Sequence, residues 1–293
     1  MDRFLQYALA GLSGGSLYAL VALGLVLIYR SARVLNFAHG DIATLGTFVA
    51  FTVVTRGLPM SLGLPLAILA GAVVAVVFYF GALVPAQRKG ANALGSVILT
   101  FGLSLVLQGF TVWGWGAEPD RLPFPLSDTK VWKIGPVFVS ELAAGTLAAA
   151  AAASLLLFFL TQRTRLGLAM RATSENLAAA QTLGIPTRGV LAFAWGTAAA
   201  LAVIAGVFLA PALLLDPFFM LDPLFKGLAA AVLGGMNSLP GAVVGGLLLG
   251  IAESLTGAYL AIEFKTTMAF VLIVAVLLVR PEGLLGREFQ ERV

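Results

Sequence analysis

Apolar runs of roughly twenty residues recur along almost the whole chain, and that recurrence restricts it to one class of fold. A helix of about 20 residues, rising 1.5 Å per residue, crosses the ~30 Å hydrocarbon layer and satisfies its own backbone hydrogen bonds. The runs cover approximately 5–29, 34–55, 62–84, 93–113, 140–160, 189–210, 225–237, 241–257 and 265–280. The seventh is short enough to be re-entrant. Charged residues make up 11% of the 293, against 60% hydrophobic, whereas a soluble domain carries roughly 25% charged residues. The expected fold class is an all-α polytopic membrane protein with eight or nine transmembrane helices. Its 33 glycines suit helices whose backbones approach closely.

The connections between runs carry the orientation signal. Arg30 and Arg33, Arg88 and Lys89, then Arg163, Arg165, Arg171 and Arg188, then Arg280, Arg287 and Arg292 make up most of the 18 Lys and Arg. Placed on one side, they set that side as the cytoplasm. Nine crossings then put the N-terminus outside, and the N-terminal segment reads as retained rather than as a signal peptide. Residues 114–139 form an external loop with four prolines and alternating apolar residues near 131–139, which predicts a short hairpin. The two halves show an inverted arrangement with the fifth run as a bridge, a plan common in transporters. Each half has a Gly-bearing polar break, "LNFAHGD" around residues 35–41 and "GGMNSLPG" at 234–241.

The composition excludes several classes of function. The chain has no cysteine, hence no disulfide, thiolate zinc site or thiol nucleophile. No basic run with interleaved aromatics marks a nucleic-acid groove. No G-x-x-x-x-G-K-[ST] phosphate loop is present. His39 is the single histidine. With Asp41 it suggests a general base or a metal site, but further ligands are missing, since Glu253 is far away in sequence. No catalytic and no metal residue is assigned. Intramembrane carboxylates also suit an ion relay, which leaves an ion-coupled secondary transporter or a facilitator of small polar solutes such as urea or amides as the alternative. A structural reading stands beside both: Asn36 and Asp41 cap the start of a helix, and His39 and Gly40 mark a break facing protein or a water-filled cavity.

Residues 161–189, "TQRTRLGLAMRATSENLAAAQTLGIPTRG", are long for a linker between two spans. Thr173 or Ser174 is expected to cap a helix of about ten residues, with Glu175 in its positive first turn. Gly184 closes it and Pro186 prevents continuation. Leu177, Ala180 and Leu183 are expected on one face. The helix lacks the bulky apolar and cationic faces of an interfacial helix, so a docking knob for a partner protein fits it better.

"ENLAAAQTLGI" at 175–185 resembles the cytoplasmic coupling-helix motif of bacterial ABC-importer permeases. With "GLSGGSLYALVALGLVLIYRSARVLNFAHGDIATLGTFVAF" at 11–51 and "KGLAAAVLGGMNSLPGAVVGGLLLGIAESL" at 226–255, the sequence resembles the LivH-type permeases of branched-chain amino-acid ABC importers over nearly its whole length. The resemblance implies a single transmembrane permease domain over 1–293, with a cytoplasmic coupling loop at 162–188. It implies coupling through Glu175, Asn176, Ala179, Leu183, Gly184 and Ile185. It also implies a translocation pathway edged by Asn36, Phe37, His39 and Asp41, with Asn237 and Ser238 as counterparts. The implied partners are a second, LivM-like permease, two LivG/LivF-like cytoplasmic ATPase subunits and a periplasmic or lipid-anchored amino-acid-binding protein. ATP would be bound by those ATPases, with no cofactor in this chain. The implied location is the bacterial inner membrane, among lipid, with no nucleic-acid partner.

Overall fold

The computed structural model describes residues 2–286. Arg287 and Arg292, part of the expected basic C-terminal end, lie outside the described residues. Each of the nine apolar runs falls on a helix or on a continuous helical stretch: α1 Asp2–Ala32, α2 His39–Thr55, α3 Met60–Phe78 running through a π turn into α4 Val84–Arg88, α5 Ala93–Trp115, α6 Glu141–Arg163, α9 Thr187–Leu209, α10 Leu221–Gly234, α11 Leu239–Tyr259 and α12 Phe264–Val279. Two further short helices, α7 Arg165–Glu175 and α8 Leu177–Thr182, sit between α6 and α9. Among the described residues, six helical stretches are long and apolar enough to cross a membrane: those of α1, α3 to α4, α5, α6, α9 and α11. The eight or nine crossings read from hydropathy therefore include shorter pieces. α2 has 17 residues, α10 has 14 and α12 has 16.

α1 and α9 form the centre of the bundle, packed against α2, α3, α10 and α11. Leu20, Val21 and Ala22 of α1 and Trp195, Ala198 and Ala202 of α9 are fully buried. α1 and α11 run antiparallel with touching backbones. A Cβ on Gly15 would lie 2.7 Å from the Gly246 carbonyl oxygen, and one on Gly11 would lie 2.6 Å from that of Gly250. Without a hydrophobic drive between helices in lipid, such close approach supplies the packing.

The expected hairpin forms. β1 Val131–Ile134 pairs antiparallel with β2 Val137–Ser140 through a turn at Gly135. The Gln6 side-chain amide of α1 clamps it, donating to the Phe138 carbonyl and accepting from the Phe138 N–H, both at 2.8 Å. At this end an open vestibule of about 1120 Å³ is lined by Gln6, Ser13, Asp128, Ser140 and Thr146 among others. At the other end Arg30, Arg33, Gln87, Asn92, Ser174 and Glu175 contribute to a second vestibule of about 1070 Å³. The basic connections thus gather at one end of the bundle.

Candidate functional site

After α1 ends at Ala32, the chain turns back into the bundle instead of leaving it. Arg33 takes a left-handed backbone conformation, φ 55°. By His39, where α2 begins, the ring lies against Gly24, so closely that a Cβ there would be 2.5 Å from its Cε1 and Nε2. Gly24 precedes the end of α1 by eight residues, about 12 Å at 1.5 Å each. α2 is therefore a short helix that starts inside the bundle.

The break is held by its own polar groups and by α5. Asn36 Oδ1 accepts from the Ala38 N–H at 3.1 Å, and the Asn36 carbonyl accepts from the His39 N–H at 3.3 Å. Thr100 Oγ1 of α5 accepts from the Phe37 N–H at 3.1 Å and donates to the Leu35 carbonyl at 3.2 Å. Asn36 performs the turn-capping role expected of it. Asp41 does not: the cap position is Ala38, and no side chain caps α2. The Asp41 carboxylate reaches across to α5, accepting from Ser104 Oγ at 2.5 Å and from Gln108 Nε2 at 3.0 Å. The physical reason is position. In the first turn of α2 its side chain points out from the axis, where α5 offers two donors.

His39 is fully buried at 0% exposure. Among the described residues neither ring nitrogen finds a hydrogen-bond partner. The Val21 carbonyl of α1 lies toward the ring without meeting that geometry. Among the described residues no three His, Cys, Asp or Glu come together as possible metal ligands. Asn36 Nδ2 is a second buried donor without a partner among the described residues. It borders a shallow, open-sided cleft with Leu25, Leu35, Phe37, Leu224 and Phe225.

The start of α10 meets this break. A Cβ on Gly40 would lie 3.1 Å from the Met220 carbonyl oxygen and 3.2 Å from Leu224 Cβ. Residues 210–220, before α10, are irregular and tied at the hairpin end by Leu215, which exchanges backbone bonds of 2.8 and 2.9 Å with Asp120. α10, like α2, begins within the bundle, and no side chain caps it. Two short helices thus bring their positive N-termini together inside the bundle, the arrangement by which broken helices build transport sites.

Asn237 and Ser238, the expected counterparts, sit at the opposite end of α10. Ser238 Oγ caps α11 by accepting from the Gly241 N–H at 3.1 Å. The neighbouring Leu239 lines a cleft with Arg30 and Ser174 at the basic end. The element that meets the first break is the start of α10 rather than its end.

Two sets of polar residues escaped sequence reasoning. The first is the stripe Ser96, Thr100, Ser104, Gln108 and Thr111 on α5, spaced at three and four residues, of which Thr100, Ser104 and Gln108 bond the break and Asp41. That helical spacing was the available signal. The second is an ion network beside α1. Lys226 Nζ lies 2.8 Å from Asp222 Oδ2, 2.7 Å from Glu253 Oε1 and 3.4 Å from Tyr18 Oη. Glu253, far from His39 and Asp41 in sequence, pairs with Lys226 instead. The signal was a lysine and a glutamate inside otherwise apolar runs, which only the fold could pair.

At the basic end residues 162–188 differ in detail from expectation. α7 runs on through Thr173, Ser174 and Glu175, so neither hydroxyl caps the next helix. Asn176 does: its Oδ1 accepts from the Ala179 N–H at 2.9 Å. α8 has six residues, not about ten, because Asn176 breaks the helix after Glu175. Gly184 (φ 78°) closes it, with Gly184 N–H on the Gln181 carbonyl and Ile185 N–H on that of Ala180, both at 3.0 Å. Ala180 is buried, whereas Leu177 and Leu183 are exposed, so the three do not share a face. Leu183 lies beyond the last helical residue, and Ala180 turns toward the bundle.

Comparison with known proteins agrees with this architecture. A family model described as branched-chain amino acid transport system / permease component matches residues 7–278. The high-affinity branched-chain amino acid transport system permease protein LivH of Escherichia coli K12 is 34% identical over 309 residues, covering 99% of this chain and 98% of its own. The corresponding permease protein BraD of Pseudomonas aeruginosa is 34% identical over 302 residues, with the same coverage. Among solved structures, a chain of PsaBC from Streptococcus pneumoniae in complex with Fab superimposes with a TM-score of 0.56 over 95% of this chain and 92% of that one. At 14% identity that likeness bears on fold alone. The chain is a multi-pass helical membrane protein, and with a family match that runs through nearly all of its described helices it belongs to the permease-component family of branched-chain amino acid transport systems.

Proposed function

We propose that this chain is the permease subunit of an ATP-driven ABC importer that moves branched-chain amino acids, or close analogues, across the bacterial inner membrane. The observation that carries the reading is the end-to-end identity to permeases named for that transport. The chain acts as a single permease domain over 1–293, and the basic end is cytoplasmic. It binds no cofactor of its own. Energy comes from two separate ATPase subunits, LivG/LivF-like, which bind the ATP. A second, LivM-like permease and a periplasmic or lipid-anchored binding protein complete the complex.

In this reading α8 is the coupling helix. Asn176 fixes its start, Gly184 and Ile185 fix its end, and Glu175, Ala179 and Leu183 face the ATPase. The exposed Leu177 and Leu183 supply apolar contact for that docking. α7 and Ser174 border the same clefts as Arg30 and Arg33. Movement of α8 therefore has a short mechanical route to the end of α1 and to the break that follows it. Asn36, Phe37, His39 and Asp41 edge the pathway at the paired helix starts, and Asn237 and Ser238 lie where it leaves at the basic end. No observation favours a self-sufficient ion-coupled transporter or a facilitator over this reading, and either would leave α8 without a purpose.

The test is affinity purification from membranes in mild detergent. Recovery of two ATPases and a second permease is the expected result. A transport-active homo-oligomer without them would overturn the reading.

A further inference from the structure

Lys226 carries more counter-charge than its single ammonium needs. Two carboxylates lie within 2.8 Å of Nζ, and the Tyr18 ring sits beneath it with its centroid 5.5 Å away. The two acids differ in setting. The Glu253 side chain is 13% exposed and the Lys226 side chain 10%, whereas Asp222 is 59% exposed. Tyr18 stands at mid-length of α1, and Asp222 is in the first turn of α10, the helix that begins inside the bundle. An ionised side chain at that depth is not stable against lipid hydrocarbon, so the face carrying Asp222 meets water or protein.

We propose that Lys226 is the carboxylate-recognising group of the pathway, and that Asp222 is its exchangeable placeholder for the head group of a neutral zwitterionic α-amino acid. In the exchange the cargo carboxylate takes the place of Asp222 on Lys226 Nζ. The released Asp222 carboxylate, one helical turn away at i−4, pairs with the cargo ammonium. Glu253 stays on Lys226 throughout and keeps it charged and oriented. Each ion pair broken is replaced by another, and a zwitterion adds no net charge. The exchange therefore leaves no uncompensated ion in the bundle interior, where such an ion is costly. A net cation or net anion would leave one.

This inference rests on the amino-acid importer reading, so the test uses the whole complex: both permeases, the ATPases and the binding protein in proteoliposomes, with radiolabelled leucine as cargo. Wild-type complex that assembles but takes up no leucine would defeat the importer reading itself. Given wild-type uptake, Lys226→Met combined with Glu253→Gln removes the ion pair at similar volume, a change that folding commonly tolerates. Loss of a charge-assisted contact predicts uptake lower by about tenfold or more, with co-purification of the ATPases retained. Wild-type uptake by this assembled variant would show the pair to be structural and overturn the inference. Should the double variant fail to assemble, Asp222→Asn decides. It sits at the exposed position and is expected to slow uptake severalfold, whereas unchanged uptake would overturn the inference.

Discussion

His39 occupies the space that any side chain on Gly24 would need. The two positions therefore form a coupled pair. Gly24→Ala alone forces the imidazole or α1 to move, an overpacking expected to destabilise by about 1–3 kcal/mol. Combined with His39→Ala, which vacates that space, the same substitution should cost much less, giving a non-additive cycle in thermal unfolding of the detergent-purified protein. Additive losses would mean that the two side chains do not compete for space. Asp41 predicts a different signature. Asp41→Leu takes the carboxylate acceptor from the buried Ser104 hydroxyl, at about 1–3 kcal/mol for a buried donor left without an acceptor, and leaves the Gln108 amide with only its 3.2 Å bond to Ser104 Oγ. Asp41→Asn keeps an acceptor oxygen and should lose less in the same assay. The sequence already marked Asn36, His39 and Asp41 as unusual, because polar groups between two long apolar runs are costly. It could not identify their partners. Thr100, Ser104 and Gln108 lie more than sixty residues away, and only the folded register of α2 against α5 brings them together.

The short helices differ most from what spacing suggests. α8 has six residues, too few to hold itself together by propensity. Its start depends on Asn176 and its end on Gly184. Asn176→Ala should weaken the cap by about 1 kcal/mol. Gly184→Val places a β-branched residue at φ 78°, a conformation it resists. Both variants are expected to insert in membranes normally yet show weaker ATPase co-purification and lower ATP hydrolysis stimulated by loaded binding protein. Full stimulation in both would remove α8 from the coupling route. The Gly and Pro that end this helix were legible because their backbone restrictions are local. The cap was misplaced by two or three residues because Thr173, Ser174 and Asn176 are all competent caps. What selects Asn176 is the packing of α7, with Met170 and Thr173 buried.

For the whole molecule, hydropathy located every major helix but not its surroundings. α1 and α9 are as apolar as α5 and α6, yet the first pair is mostly enclosed by protein and the second mostly exposed. Burial of this kind depends on which neighbours arrive, and an apolar residue is equally stable against lipid or against another helix. The same ambiguity hid α2 and α10 as helices that begin inside the bundle, since their runs read as ordinary spans. The convergence of those helix starts, together with the short α8 loop at the basic end, is the physical basis for the proposal that this chain is one half of an alternating pathway driven from outside itself. The most direct measurement is uptake of radiolabelled leucine by proteoliposomes containing the purified complex. Uptake should require binding protein, both permeases, the ATPases and hydrolysable ATP together, and should stop when a non-hydrolysable analogue replaces ATP. Leucine uptake by this chain alone, driven by an ion gradient and indifferent to ATP, would contradict the account.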